Sequence, residues 1–157
     1  MIKHRLTSHQ QSKGIHDRMA DSLTDLDAVL KANLDFYRAF NARSIEAMEA
    51  LWSNTAPVLC VHPGWNALAG RDAVLQSWRA ILANPDAPGV MVHDDRAFLY
   101  GDLAIVLCEE ELDSGHLVAT NMFLRESGAW KMIHHQASPL IVRSGEARQG
   151  RRSPTRH

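Results

Sequence analysis

Hydrophobic residues recur at helical spacing through the first half of the chain. Residues 24–41 carry apolar side chains three and four positions apart, which predicts an amphipathic helix with Thr24 as its N-cap. A second short helix is predicted over 44–52, capped by Ser44, and a third over 70–82. The first half of the chain therefore predicts three helices.

Strand-like segments lie on both sides of the third helix, and from residue 90 onward the period is that of strands. One short β run covers 58–62, and four longer β-rich segments follow at 90–100, 103–112, 117–126 and 129–138. The last three separators are only two to four residues long and contain glycine, as expected of hairpin turns. Helices followed by a meander predict an α+β domain, with the helices on one face of a mixed or antiparallel sheet.

Counting residues outward from each hairpin turn assigns side chains to the two faces of this sheet. A two-residue turn at 127–128 places Phe123 opposite Met132 and Asn121 opposite His134. One face then holds Asn121, Phe123, Trp130, Met132, His134 and Gln136, while Met122, Ile133, His135 and Ala137 lie on the other.

The turn at Gly101-Asp102 gives the neighbouring register. It places Tyr100 opposite Leu103 and Ala97 opposite Val106. One face of this strand then holds Ala104, Val106, Cys108 and Glu110. Both faces of the sheet are mostly apolar, so the face not covered by helices is predicted to pair with a second copy in a homodimer.

Composition and charge narrow the class of protein. The chain has 157 residues with 45% hydrophobic and 22% charged side chains, which fits one domain. No apolar run approaches the roughly 20 residues that span a bilayer, and the N-terminus lacks a secretory apolar stretch, so a cytoplasmic protein without membrane contact is predicted. Cys60 and Cys108 lie in apolar runs without a CxxC motif, which indicates buried hydrophobes.

Charge also separates three segments. The basic segments 1–22 and 141–157 are predicted to be disordered tails around a domain over 23–140. The body of the chain is acidic although the net charge is only −1, and an acidic body disfavours nucleic-acid binding.

Several polar residues in apolar surroundings are candidates for chemistry. His62 ends a strand before a Pro-Gly-Trp turn and is either a general base or a rim histidine that orders the turn. Glu110 is an acid or base if it points into an apolar cavity, and a solvated strand end otherwise. Asn121 needs a partner in an apolar strand, either His134 or a ligand. His134 and His135 point to opposite faces as consecutive strand residues, so they cannot share a metal, and no metal or cofactor is predicted.

Four tryptophans stand out among few aromatic residues. Trp52 and Trp65 lie near element ends and are candidates for a cavity rim, whereas Trp78 and Trp130 fit core packing equally well.

These residues together resemble a known family. The runs FYRAFNARSIEAMEALWS, VLCVHPGWNALAGRDAVLQSW, GDLAIVLCEE and ATNMFLRESGAWKMIHHQASP are similar to the SnoaL-like branch of the nuclear transport factor 2-like superfamily. They also resemble the association domain of calcium/calmodulin-dependent kinases. The resemblance covers residues 24–140.

The resemblance implies a strongly curved sheet that forms a cone with a deep pocket. It implies that Glu110, Asn121 and His134 are polar pocket residues, while Gln136 stands where relatives often carry a second histidine. The predicted catalytic candidates are His62, Glu110 and His134, and the predicted ligand contacts are Tyr37, Trp52, Trp65, Trp78, Asn121, Phe123 and Gln136. Two functions stay open: a cofactor-free proton-transfer enzyme (isomerase, dehydratase or cyclase) acting on a small hydrophobic or cyclic molecule, or a non-catalytic binding or dimeric assembly module.

Overall fold

The computed structural model describes residues 8–140, with side chains described from Asp21 onward. The first helix, α1 (Ser8–Asn41), begins well before the predicted start, and Thr24 lies inside it instead of capping it. Hydrophobic periodicity reveals only the part of a helix that packs on a core, and a helix extends beyond that part because propagation is easier than nucleation. Residues 1–7 and 141–157, which belong to the two predicted tails, lie outside the described residues.

The two shorter helices begin where the sequence predicts. In α2 (Ile45–Leu51) the hydroxyl of Ser44 accepts a hydrogen bond from the Ala47 amide at 3.1 Å, as an N-cap does. Helix α3 (Arg71–Ala83) follows Gly70, whose φ of 93° lies in the left-handed region that favours glycine.

Six strands form one mixed sheet. Their bounds are β1 (Leu59–Val61), β2 (Leu68–Ala69), β3 (Met91–Tyr100), β4 (Leu103–Leu112), β5 (Gly115–Glu126) and β6 (Ala129–Pro139). The strand order is β2-β1-β6-β5-β4-β3, with β1 parallel to β6 and every other pair antiparallel. The predicted meander and α+β class are confirmed, and the sheet curls around α1 and α3.

A bulge in β6 changes half of the predicted register. Phe123 pairs with Met132 as predicted, but Asn121 pairs with His135 instead of His134. Met122 pairs with His134, so Ile133 is an extra residue between two paired positions. An extra residue moves every following side chain to the other face, as a β-bulge does. The predicted pairing of Asn121 with His134 is therefore wrong.

The register of β3 with β4 is confirmed at both predicted pairs, Tyr100 with Leu103 and Ala97 with Val106. The core lies between the concave sheet face and the helices, and its largest fully buried side chains include Trp52, Phe36, Phe123 and Met132. Within residues 8–140, the helices are too short or too polar to cross a membrane.

Candidate functional site

A cavity of about 180 Å³ opens between α1, α3 and the concave face of the sheet. Its wall is mainly aromatic and aliphatic, with a few polar groups. The lining residues are Phe36, Tyr37, Phe40, His62, Pro63, Trp65, Trp78, Ile81, Val90, Glu110, Leu112, Leu117 and His135. An apolar wall with a few polar groups is typical of small-molecule sites.

Glu110 is the carboxyl group of this cavity. Alternation along β4 points it inward, and it is only 5% exposed. The hydroxyl of Tyr37 donates a hydrogen bond to Glu110 Oε1 at 2.8 Å. Burial raises the pKa of Glu110 above its usual range, although the hydrogen bond from Tyr37 opposes the rise. Burial and the nearby Glu110 charge also raise the pKa of Tyr37, so the phenol keeps its proton.

Asn121 is the centre of a buried hydrogen-bond network behind the cavity. Its side-chain nitrogen donates to Asn33 Oδ1 at 2.8 Å and to the Tyr37 hydroxyl at 3.2 Å. Its side-chain oxygen lies 2.7 Å from His135 Nδ1. Through Tyr37 the network therefore connects His135 to Glu110 across the wall of the cavity.

Both histidines of the cavity are neutral. His62 is 4% exposed, and burial lowers its pKa to about 4. Burial, with smaller contributions from His62 and His134, lowers the pKa of His135 to about 3. His62 is held in place by Ser77, whose hydroxyl lies 2.8 Å from His62 Nε2. It also packs edge-on against Trp78, with 4.6 Å between the two ring centroids.

The structure brings together some of the predicted site residues and separates others. Tyr37, His62, Trp65, Trp78 and Glu110 line the cavity, and Asn121 supports it from behind. Trp65 is 49% exposed and forms the rim against His62, at 4.9 Å between ring centroids.

Four predicted residues lie away from the cavity wall. Trp52 and Phe123 are fully buried in the core, and the backbone of Trp52 forms an isolated parallel β-bridge with Met132. The bulge turns His134 and Gln136 to the outer face of the sheet, and Gln136 is exposed there. His134 and Gln136 face outward because of the bulge at Ile133, which the sequence does not predict.

Sequence reasoning missed three contributors: His135, Asn33 and Ser77. The sequence does contain a signal for His135, because β6 without a bulge would bury Gln136 and leave Ala137 outside. Glutamine is seldom buried and alanine often is, so the bulged register is the better match to composition. Asn33 and Ser77 lie on helices, and their partners Asn121 and His62 are 88 and 15 positions away in the sequence, beyond the reach of a local pattern.

Other polar groups in the described part of the chain offer less chemistry. A larger groove of about 740 Å³ beside Asn41 and Met91 holds Glu111, Asp113 and His116, which are exposed or half-buried. Burial raises the thiol pKa of Cys60 to about 12 and of Cys108 to about 11, which makes both poor nucleophiles. Residues 21–140 contain no cluster of three His, Cys, Asp or Glu side chains that could hold a metal ion.

The low pKa of His62 predicts acid-sensitive stability. Between pH 6.5 and about 4 the unfolded chain binds a proton at this histidine and the folded chain does not, so the free energy of unfolding falls as the pH falls through this window. In His62→Gln, whose amide can still donate to Ser77, we expect this fall to be smaller by about 1–3 kcal/mol. Urea unfolding at pH 7, 5.5 and 4.5 measures it. His93→Gln, at an exposed histidine, is the control, and an equal change in both variants would contradict the prediction.

Comparison with known proteins agrees with this architecture. The profile of the SnoaL-like domain family matches residues 29–142. F-box protein SKIP8 of Arabidopsis thaliana is 30% identical over 117 residues, which are 73% of this chain and 51% of the relative. The chain thus spans about half the length of this curated relative.

Two solved structures are similar in both sequence and fold. A provisionally named dehydratase of the NTF2-like family from Streptomyces avermitilis is 35% identical, with a TM-score of 0.70 over 76% of this chain and 98% of that chain. A provisionally named calcium/calmodulin-dependent protein kinase type II association domain from Thiobacillus denitrificans is 34% identical, with a TM-score of 0.64 over 70% of this chain and 93% of that chain. An NTF2-like protein from Novosphingobium aromaticivorans, 16% identical, shares the cystatin-like fold, with a TM-score of 0.65 over 84% of this chain and 92% of that chain. This chain belongs to the SnoaL-like domain family of NTF2-like proteins.

Proposed function

We propose that the cavity binds a small ring-shaped molecule and that the chain is a cofactor-free enzyme that moves a proton on it. The observation that carries this proposal is Glu110, a carboxyl group buried in an apolar cavity and hydrogen-bonded to Tyr37. A carboxyl with a raised pKa holds and releases a proton closer to neutral pH than an exposed one, which suits general acid–base catalysis.

The reaction class that fits is loss of water from a hydroxylated carbonyl compound, or the related shift of a double bond. Glu110 as carboxylate takes the proton from the carbon next to the carbonyl. As carboxylic acid it then gives this proton to the departing hydroxyl, which leaves as water while a double bond forms. In an isomerisation the proton returns to a different carbon. The provisional name of the Streptomyces avermitilis structure supports the first of these.

The positions of Asn121 and His134 change the roles predicted for them. Both N–H groups of Asn121 are donated to Asn33 and Tyr37, which leaves none for a developing oxyanion. His134 lies on the outer face of the sheet. Asn121 is therefore a positioning residue, and His62 and His135 join Glu110 as polar groups of the wall that can contact the substrate.

Hydrogen exchange tests the proposal without knowledge of the reaction's direction. The protein is incubated in D2O with a panel of monocyclic hydroxy and carbonyl compounds, and deuterium at carbon is followed by NMR. We expect exchange above the uncatalysed rate for a subset of the panel, with loss in Glu110→Gln. Binding of panel members without any exchange would instead support the non-catalytic binding module.

We infer in addition that the outer face of the sheet pairs with a second copy. One row of paired residues crosses five strands there: Phe98, Ile105, Met122, His134 and Leu59. Leu59 and Phe98 are 48% and 42% exposed. Apolar rows of this extent are rarely left in water. The name of the Thiobacillus denitrificans structure, an association domain, supports assembly.

A charge in this row is expected to separate the copies. Met122→Asp places a carboxylate at the centre of the row, where pairing would bury it without a partner, and we expect the mass in solution to fall from dimer to monomer. Light scattering coupled to gel filtration measures the mass. Gln76→Asp, on the exposed side of α3, is the control and should leave the mass unchanged. A dimer that persists in Met122→Asp would refute pairing through this face.

A further inference from the structure

Hydrogen positions in the network determine what His135 offers to a ligand. A side-chain amide oxygen only accepts, so the hydrogen between Asn121 Oδ1 and His135 Nδ1 belongs to the histidine. A neutral imidazole carries one hydrogen, and its other nitrogen is then an acceptor. His135 Nε2 therefore carries a lone pair.

His62 also presents a lone pair, but on the other ring nitrogen. The Ser77 hydroxyl has a single hydrogen, which it donates to the Val74 carbonyl at 2.7 Å. The hydrogen in the 2.8 Å contact between Ser77 and His62 Nε2 must then come from the histidine. His62 Nδ1 is left as an acceptor, and the weakly donating thiol of Cys60 lies 3.9 Å from it.

The rest of the cavity wall adds few donors. Among the described residues that line it, none is Lys or Arg. The Tyr37 hydroxyl is already donated to Glu110. Of the two indole N–H groups of the wall, that of Trp78 has no partner but is closed off from solvent, and that of Trp65 belongs to the exposed rim. A carboxylate ligand would therefore face two lone pairs and the Glu110 carboxyl, with no cation opposite it.

From this distribution we infer that the cavity selects an uncharged ring compound that bears a hydroxyl group, and that the hydroxyl donates its hydrogen to His62 Nδ1 or His135 Nε2. The inference rests on the proposed function in one respect, that this cavity is the ligand site. Its volume of about 180 Å³ suits one six-membered ring with small substituents. A ligand that carries only hydrogen-bond acceptors places its own lone pairs against those of the two histidines. No hydrogen bond then forms between them, and the ligand binds more weakly.

Histidine tautomers give the first test. Two-bond ¹H–¹⁵N spectra of the side chains distinguish an imidazole with hydrogen on Nδ1 from one with hydrogen on Nε2. We expect Nδ1–H for His135 and Nε2–H for His62 at pH 7. Assignment uses His62→Gln and His135→Gln, or contacts to the Asn121 side chain should the second variant not fold. Hydrogen on His135 Nε2, which requires the amides of Asn33 and Asn121 both to be reversed, would overturn the inference.

A matched ligand series gives the second test. Cyclohexanol, cyclohexanone and cyclohexanecarboxylate share one ring and differ in the group they present, and tryptophan fluorescence follows binding because Trp65 and Trp78 line the cavity. We expect cyclohexanol to bind about tenfold more tightly than the ketone and about a hundredfold more tightly than the carboxylate. Equal or reversed affinities, or no binding by any of the three, would overturn the inference.

The series also separates this inference from the proposed enzyme. The preference for the alcohol over the ketone rests on the two histidine lone pairs, whereas hydrogen exchange rests on Glu110. The preference without any hydrogen exchange by wild-type protein would defeat the proposed enzyme alone. Exchange without the preference would defeat the ligand class alone.

Discussion

Replacing Glu110 by glutamine is expected to lower the rate of hydrogen exchange into a bound ring compound by about 10²–10⁴-fold. This is the usual contribution of a single positioned acid or base. Glutamine has nearly the same shape and still accepts the hydrogen bond that Tyr37 donates. The substitution therefore removes the proton carrier and leaves the cavity wall in place. NMR measurement of deuterium at carbon, with wild-type protein beside the variant, checks the rate.

Stability separates lost chemistry from a lost fold. Because burial raises the pKa of Glu110, the folded chain binds a proton there at pH values where the unfolded chain has released it. The free energy of unfolding at this site falls as the pH rises above about 4.5, through the raised pKa. Glu110→Gln removes this fall. We expect the variant to be at least as stable as wild type at pH 8, measured by urea unfolding.

The adjacent residue supplies a matched control. Glu109 carries the same carboxyl group on the same strand, but it points to the outer face and is half-buried. Glu109→Gln removes a carboxyl group in the same way and should leave the exchange rate within about twofold of wild type. Equal losses in the two variants would show that charge, and not the buried carboxyl, controls the rate.

Short hairpin turns made much of the sheet predictable. A two-residue turn fixes which residues pair, and alternation then fixes which face each side chain occupies. This reasoning placed Phe123 opposite Met132 and Ala97 opposite Val106, and it put Glu110 on the same face as Val106, which in the structure is the concave face. Local rules suffice wherever a strand pairs without interruption.

The bulge at Ile133 shows where those rules stop. Counting from the turn cannot detect an extra residue, because the apolar pattern on either side of it is still consistent with a strand. The consequence is large, since one residue exchanges His134 for His135 at the cavity. The extra residue also gives Asn121 a histidine partner other than the predicted one.

The polar network depends on contacts that local pattern does not encode. Asn33 and Asn121 are 88 positions apart, and Tyr37 and Glu110 are 73 apart. Each of these residues has several chemically acceptable roles when it is considered alone. Only the three-dimensional arrangement shows that they pair with one another and so determine which hydrogen each of these contacts carries.

That mutual pairing predicts a large loss of stability when Asn121 is replaced by an apolar residue. Asn121→Leu is expected to lower the free energy of unfolding by about 3–5 kcal/mol. Leucine has a similar volume, so the loss comes from polar groups left unpaired in the core, His135 Nδ1 and Asn33 Oδ1, at about 1–3 kcal/mol each. A loss of this size approaches the whole stability of a small domain. Urea unfolding at pH 7 measures it, with Thr120→Val on the outer face as a control expected to change by less than about 0.5 kcal/mol.

A double-mutant cycle assigns the loss to the network. His135→Phe alone leaves Asn121 Oδ1 without its donor, whereas His135→Phe with Asn121→Leu removes both partners of that hydrogen bond. The double variant should therefore lose about 1–3 kcal/mol less than the two single losses together. Additive losses, or a loss below about 1 kcal/mol in Asn121→Leu, would mean that the core satisfies these groups by other means. A coupling free energy of this size would instead show that Asn121 and His135 hold each other in place. It would also show that this contact fixes the hydrogen position on which the chemistry of the cavity depends.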